Sequence, residues 1–374
     1  MPSATAPNPS PSGSAPPSLD HSLPADVKSN IEAEARKKPA ARVISDRNID
    51  NVTFGSLDAI TFPAWYRCTY PKQIFGEKMD GRKGIVVNDL YVCNKCFAYS
   101  KDAPTWARHC RCCDSGVPGE KIYEHPKNKS WSVWEVDGEQ EKLFCQNLSL
   151  FAKLFIDSKS VLFDVSSFNY YLLVHAADTG SQQIVGFFSK EKISFEQYNL
   201  ACILIFPPWQ KKGLGNILMA ISYAICRMEE LPGGPEKPIS DLGKKGYLKF
   251  WGNEICRYLI GLKETDVKRG NGMIDLERVS RECYIKADDC LALFEAMDGE
   301  KDSEPKILQA VENEAVTEHT NDGEEKTAFQ HRVRIDKALV RAWAAKEGLD
   351  LLPVVEDRGF LKIYEKRETP GNGR

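Results

Sequence analysis

The sequence predicts an α/β (α+β) protein: a mixed sheet with helices around it, a Cys-Cys-His-Cys metal finger before it and a helix-turn-helix-like module after it. Three observations carry this. Residues 199–243 read NLACILIFPPWQKKGLGNILMAISYAICRMEELPGGPEKPISDLG, in which an apolar run, a glycine loop and an amphipathic stretch follow one another. Residues 131–206 hold several runs of strand length. Cysteines at 93, 96 and 113 and a histidine at 109 have metal-ligand spacing.

Composition bounds the reading. The 374 residues suffice for more than one core. No apolar run reaches the ~18 residues of a membrane span, and the Pro/Ser/Ala-rich start lacks an apolar signal region. A soluble intracellular protein is expected. Twelve cysteines then favour thiols and metal ligands over disulfides. A net charge of -3 gives no global pull toward nucleic acid, so any such attraction must be local.

The elements follow in order. Residues 1–41 are expected to be a disordered tail. Its basic cluster EARKKPAAR, 34–42, is either a solvated segment or a nuclear-localisation or nucleosome contact. Residues 42–130 form an N-terminal region of strands and turns that holds the finger, 91–115. Cys93-x2-Cys96 suits a tight knuckle, and His109 and Cys113 lie four apart on a helix that Pro104 opens. Four N/S ligands close a tetrahedral zinc site and leave no open position, so the metal is structural. Cys112, three from His109, is the alternative to Cys113. A DNA-reading finger needs base-contacting residues on its helix; 105–108, TWAR, offers one arginine.

Residues 131–260 form the core. Strands are expected at 131–136, 161–165, 170–175, 184–188 and 199–206, and helices at 144–155, 216–230 and 244–260. Residues 261–374 form a C-terminal helical, winged-helix-like module. Its helix pair falls at 275–283 and 286–296, an acidic disordered insertion at 298–326, a helix at 332–347 stopped by Gly348, and a last strand at 358–364.

Strand, glycine loop and helix together make a phosphate-binding arrangement. Glycines permit close backbone approach, and the unpartnered N–H groups of the helix start favour a pyrophosphate. The loop is not a Walker loop, because no G-K-[ST] follows, and Leu218 stands where a dinucleotide fingerprint has its third glycine.

Gln210-Lys211-Lys212-Gly213-Leu214-Gly215 resembles the Q/R-x-x-G-x-G/A loop of GNAT-type and MYST acetyltransferases. The segment 235–243, PEKPISDLG, resembles the PEKPLSDLG segment of the MYST family. Phe54-Gly55, Trp65-Tyr66, Tyr70-Pro71 and 184–192, IVGFFSKEK, resemble further family patterns. The chain thus resembles a MYST histone acetyltransferase of the fungal "something about silencing" branch, over about residues 42–260.

The resemblance implies a GNAT-like core that takes acetyl from acetyl-coenzyme A. It places Glu236 as general base; taken alone, Glu236 is a solvated loop acid. It aligns Cys202 with an active-site cysteine, either lining the site or carrying acetyl, although no cation stands near it in sequence. It implies backbone contacts to the cofactor from Ile203 and Ile205, a pyrophosphate wrap by Gln210, Lys211, Lys212, Gly213, Leu214, Gly215 and Asn216, and a contact from Ser240 to the cofactor end. Lys159, in DSKS, falls at the family's autoacetylated lysine, with Ser158 in place of its histidine; otherwise it is an exposed surface lysine. The implied metal is zinc on Cys93, Cys96, His109 and Cys113. The implied partners are the histone H4 tail or nucleosome and accessory subunits, and the implied compartment is the nucleus. The acidic insertion and the lack of room for a reader domain depart from the family. The competing reading is a catalytically weak zinc-finger chromatin-interaction protein.

Overall fold

The computed structural model describes residues 47–56, 58–71, 74, 87–269, 272–298, 308–310, 318–319, 325–326 and 331–361. The expected tail, its basic cluster and most of the acidic stretch lie outside these residues.

The N-terminal module is a four-stranded sheet. Strand β1 (Ile49–Gly55) pairs antiparallel with β2 (Ile60–Pro63) and parallel with β3 (Val87–Cys93), and β3 pairs with β4 (Tyr99–Ser100). Helix α1 (Ala103–Cys112) follows the two-residue β4. Its start is set locally: the Asp102 carboxylate accepts the Thr105 N–H at 2.8 Å, and proline occupies the first turn.

The core sheet comprises β5 (Glu120–Glu124), β6 (Trp131–Asp137), β7 (Phe168–Ala176), β8 (Gln182–Glu191) and β10 (Cys202–Ile205), in the order β10-β8-β7-β6-β5. Every pairing in it is antiparallel. Parallel pairing occurs in the N-terminal sheet and between β9 (Tyr198–Leu200) and β11 (Gly234–Pro235). The central strands β7 and β8 are buried on both faces, which is why they read as continuous apolar runs rather than alternations. Helix α2 (Lys142–Lys153) connects β6 to β7.

Two expected strands come out differently. Residues 161–165 are not a strand. Leu162 and Val165 are buried, but Phe163 faces out, and the Val165 carbonyl turns back to accept the Phe168 N–H at 3.1 Å. The run 199–206 is broken at Ala201 into β9 and β10. The Ala201 N–H reaches across to the Ser189 carbonyl at 2.8 Å, while β9 leaves the sheet to pair with β11.

Helices α3 (Leu214–Met228) and α4 (Asp241–Gly261) pack through Tyr223 stacked on Phe250, with the Trp251 indole donating to the Tyr223 hydroxyl at 2.7 Å. The C-terminal module holds α5 (Glu264–Arg269), β12 (Met273–Asp275), α6 (Leu276–Cys283) and α7 (Ala287–Asp298). After α7 come β13 (Leu308–Ala310), β14 (Glu318–His319), β15 (Glu325–Lys326), β16 (His331–Arg334) and α8 (Lys337–Lys346). Strand β16 lies between β12 and β13, so this helix pair has the strands of a winged-helix-like unit. The helix expected from 332 therefore begins later, because residues 331–334 are in that sheet; Asp336 caps its start, accepting the N–H of Ala338 at 2.9 Å. Gly348, at φ +62°, follows the helix end as expected. At the last described residues Phe360 forms a single bridge to Tyr123 of β5; the remainder of the expected strand lies outside the described residues.

One aromatic cluster joins the modules. Phe54 of β1 touches Phe62, Phe97, Phe151, Phe206 and Trp209, with ring centroids 5.1–6.5 Å apart. It links the N-terminal sheet, the finger knuckle, α2 and the segment entering the glycine loop.

Candidate acetyl-transfer site and metal finger

The break at Ala201 shapes the site. With β10 at the sheet edge, Phe206 N–H donates to Val185 O at 2.9 Å. Alternation along the ladder then turns Leu204 and Cys202 toward β8 and points the backbone groups of Ile203 and Ile205 at the open edge. The Gln210 side-chain amide donates to the Ile205 carbonyl at 2.7 Å and so ties the loop to this edge. In the loop Lys211 has φ +62° and Gly213 φ +75°, and Gly213 is the N-cap of α3. No side chain caps this helix, and a Cβ on Gly213 or Gly215 would meet nothing within 4 Å. Glycine at 213 thus serves the left-handed backbone, and the space over the helix start is open to a ligand. Gln210, Lys211, Lys212, Gly213, Leu214, Gly215 and Asn216 lie together on the same edge as Ile203 and Ile205. A pyrophosphate fits this donor set.

On the other branch, β11 runs beside β9 and the Glu236 N–H donates to the Leu200 carbonyl at 2.9 Å. Glu236 thereby reaches the rim of a cavity of about 180 Å³, lined among others by Ser158, Lys159, Tyr170, Glu191, Cys202 and Glu236. Burial raises the Glu236 carboxyl above the usual carboxylate range, the Glu191 charge adds to this, and Lys159 opposes it. Lys159 is no surface lysine: it is 5% exposed, and its Nζ lies 3.8 Å from Cys202 Sγ. The cation that Cys202 lacks in sequence thus arrives through the fold, from a loop 43 positions earlier. Glu191 is a pocket residue that the sequence does not reveal: it ends β8 within the family-like run 184–192, and no local signal marks a carboxylate at a strand end as pocket-lining. Ser240 caps α4, accepting the Gly243 N–H at 3.1 Å. A larger cavity of about 430 Å³ lies between α3, α4, α6 and residues 353–357 and contains none of these residues. Its arginines are engaged by its own acids, Arg227 with Asp357 and Arg257 with Glu254.

The ligand atoms of Cys93, Cys96, His109 and Cys113 lie within 4.8 Å of one another. Cys96 Sγ is 3.2 Å from His109 Nε2 and 3.8 Å from Cys113 Sγ. Zn–S bonds near 2.3 Å give sulfur separations of about 3.8 Å in a tetrahedron, which the Cys96–Cys113 pair already matches, so the donor set fits zinc. The neighbouring Cys96 thiol holds the Cys93 thiol down to about 4, which favours a thiolate ligand. Cys113 is the fourth member; it is the C-cap just beyond α1, with its N–H on the His109 carbonyl at 2.8 Å. Cys112 is exposed and outside the cluster.

The MOZ/SAS family model matches residues 116–340, and the MYST family zinc finger domain matches residues 46–113. The chain is 36% identical over 251 residues to the histone acetyltransferase Tip60 homolog of Caenorhabditis elegans, covering 67% of this chain and 51% of that one. It is 36% identical over 240 residues to histone acetyltransferase SAS2 of Saccharomyces cerevisiae, covering 61% of this chain and 69% of that one. With histone acetyltransferase ESA1 of Gibberella zeae it shares 35% identity over 252 residues, 66% of this chain and 47% of that one. The matched region spans about half the length of several of these relatives. The zinc-finger cluster, the glycine loop at the edge of β10 and the glutamate-bearing loop beside β9 stand within the matched regions, and the chain belongs to the MOZ/SAS (MYST) family, with that family's zinc finger and its GNAT-like acetyltransferase domain.

Proposed function

We propose that the protein is a histone lysine acetyltransferase that uses acetyl-coenzyme A, with the histone H4 tail as substrate and Glu236 as general base. The observation that carries this is the convergence of Glu236, Glu191, Lys159 and Cys202 on one cavity at the start of β10. A lysine amine at pH 7 is ~3.4 units on the protonated side of its reference pKa, and freeing its lone pair costs roughly 4.6 kcal/mol. Glu236 accepts that proton as the amine nitrogen attacks the thioester carbonyl. The C–N bond forms, the C–S bond breaks, and the coenzyme thiolate leaves, taking up the second proton that the nitrogen sheds as it becomes an amide. A carboxyl raised above its usual range is a stronger base, and the two acids of the cavity suit a cationic side chain. The loop 210–216 and the outward amides of Ile203 and Ile205 hold the cofactor, with Ser240 near its reactive end. Zinc on Cys93, Cys96, His109 and Cys113 is structural.

The names of the relatives support a histone substrate and hence a chromatin-associated, nuclear enzyme. Among the described residues no helix is long and apolar enough to cross a membrane. The H4 tail, a silencing role and accessory subunits rest on the resemblance to the silencing branch. Lys159 is the candidate for autoacetylation, a reading supported by its burial beside Cys202.

A second reading of the chemistry has its own observation. Lys159 Nζ lies 3.8 Å from Cys202 Sγ, on the wall of the same cavity as Glu236, so an acetyl-cysteine relay through Cys202 competes with direct attack. The test is acetyl transfer from acetyl-coenzyme A to H4 and H3 tail peptides by wild type and Cys202→Ser. Preferential transfer to H4 with Cys202→Ser active supports direct attack on the proposed substrate. Loss in Cys202→Ser, with coenzyme A released before peptide is added, supports the relay. No transfer to either peptide, alone or with native accessory subunits, and no acetyl-coenzyme A binding by calorimetry would leave the interaction protein as the better reading.

A further inference from the structure

The helix-turn-helix-like module backs the loop that bears Glu236. Gly233 donates its N–H to the Tyr284 carbonyl and accepts the Lys286 N–H, both at 3.1 Å, in a parallel bridge to Ile285. The Lys286 ammonium lies 4.7 Å over the Tyr198 ring and donates to the Glu196 carbonyl, so it also grips the entry to β9. The third tie is a side chain. Asp289, in the first turn of α7, has a side chain only 2% exposed, and its Oδ1 stands 3.0 Å from Lys237 Nζ. Its Oδ2 is buried without a hydrogen-bond partner and faces Gly234, where a Cβ would come within 2.2 Å of it. Gly234 is thus required for close approach, and of the two residues flanking Pro235-Glu236 one, Gly234, packs on this carboxylate and the other, Lys237, is ion-paired with it.

Such an arrangement is a poor source of stability. A buried carboxylate with one unpaired oxygen costs free energy, and its lysine partner is 43% exposed, which weakens the pair by solvent screening. What it does supply is position. Glu236 has its own N–H fixed to Leu200 on one side, and Lys237, the next residue, is fixed to α7 on the other. We propose that Asp289 is a positioning residue for acetyl transfer: by gripping Lys237 and seating Gly234, it lets the C-terminal module set where the Glu236 carboxylate stands over the cavity. The inference rests on the reading of Glu236 as the base.

The experiment compares wild type, Asp289→Asn, Lys237→Met, the double variant of these two, Glu236→Gln and Glu236→Gln combined with Asp289→Asn, in steady-state acetyl transfer to an H4 tail peptide, with thermal unfolding of each protein. Displacing the base by a fraction of an ångström is expected to lower kcat on the order of 10- to 100-fold. The Michaelis constant for acetyl-coenzyme A should change far less than kcat, because the pyrophosphate loop 210–216 belongs to the other branch of the broken strand. Asp289→Asn and Lys237→Met should match, and the double variant should be no worse than either. In the Glu236→Gln background Asp289→Asn should cost nothing further. Wild-type kcat in Lys237→Met, or losses at 237 and 289 that multiply, would overturn the proposal. Should Asp289→Asn fail to fold, Lys237→Met decides alone, since its side chain reaches the surface. Failure of the underlying reading shows separately, as wild-type kcat in Glu236→Gln whatever the other variants do.

Discussion

At the scale of residues, the pocket is an electrostatic balance among Glu236, Glu191 and Lys159. Burial and Glu191 raise the Glu236 carboxyl, and Lys159 pulls it down. A base acts only when deprotonated, so, on the proposal that Glu236 is the base, the acid limb of the kcat profile is expected to report this group. Removing the Glu191 charge with Glu191→Gln lowers the Glu236 pKa, and the limb moves to lower pH. Removing the Lys159 cation with Lys159→Gln raises it, and the limb moves to higher pH. Opposite displacements in pH–rate profiles are expected; displacements of the same sign would contradict the balance. Four residues of this pocket, and Asp289 behind it, differ in how far the sequence exposes them. Glu236 and Cys202 are marked by the motifs around them. Lys159 was placed by position in the family pattern, but its burial and its contact with Cys202 depend on a loop that folds over the sheet. Glu191 and Asp289 carry no local signal, because what makes them matter is the strand end and the helix that face the cavity and its loop.

At the scale of elements, the broken strand does most to build the site. A straight strand over 199–206 would pair wholly with β8 and leave the Glu236 loop without a support. The break sends β9 to β11 and leaves β10 at the edge. Periodicity cannot show this, since NLACILIF is apolar throughout and the break is a matter of which partner each half finds. The glycine loop was more legible, because its conformation is demanded by residue type. Gly213 sits in left-handed backbone with open space around it. Alanine there costs about 1–2 kcal/mol in that conformation. Gly213→Ala is expected to lower Tm by about 2–8 °C in thermal unfolding and, as the loop shifts to relieve the strain, to weaken acetyl-coenzyme A binding in calorimetry. The expected helix at 332–347 shows the opposite failure: its first residues complete a sheet with β12 and β13, a long-range pairing that overrides local helical spacing.

At the scale of the whole molecule, the finger is part of the catalytic core. Phe97 follows the Cys93–Cys96 knuckle directly, is fully buried, and packs on Phe54, Phe144, Phe151 and Phe206. Phe206 and Trp209 in turn lead into the glycine loop. Metal loss should therefore unsettle more than the knuckle. At about 2–4 °C per kcal/mol for a domain of this size, losing about 3 kcal/mol lowers Tm by roughly 10 °C. Chelation, or Cys96→Ser, is expected to lower Tm by at least that much, with loss of the near-ultraviolet aromatic signal of this cluster and of acetyl-coenzyme A binding. An unchanged Tm after verified metal removal would make the finger an appendage. The spacing of four ligands was legible because a metal imposes it; the packing of Phe97 was not, because it is set by chain segments far apart in sequence. The central claim is that one glutamate on the loop beside β9 takes the proton from the attacking lysine. Its most direct measurement is the single-turnover rate of acetyl transfer to an H4 tail peptide by wild type and Glu236→Gln, each saturated with acetyl-coenzyme A. The account predicts a rate lower by about 10²- to 10⁴-fold in Glu236→Gln, with acetyl-coenzyme A affinity retained. Equal rates in the two proteins would contradict it.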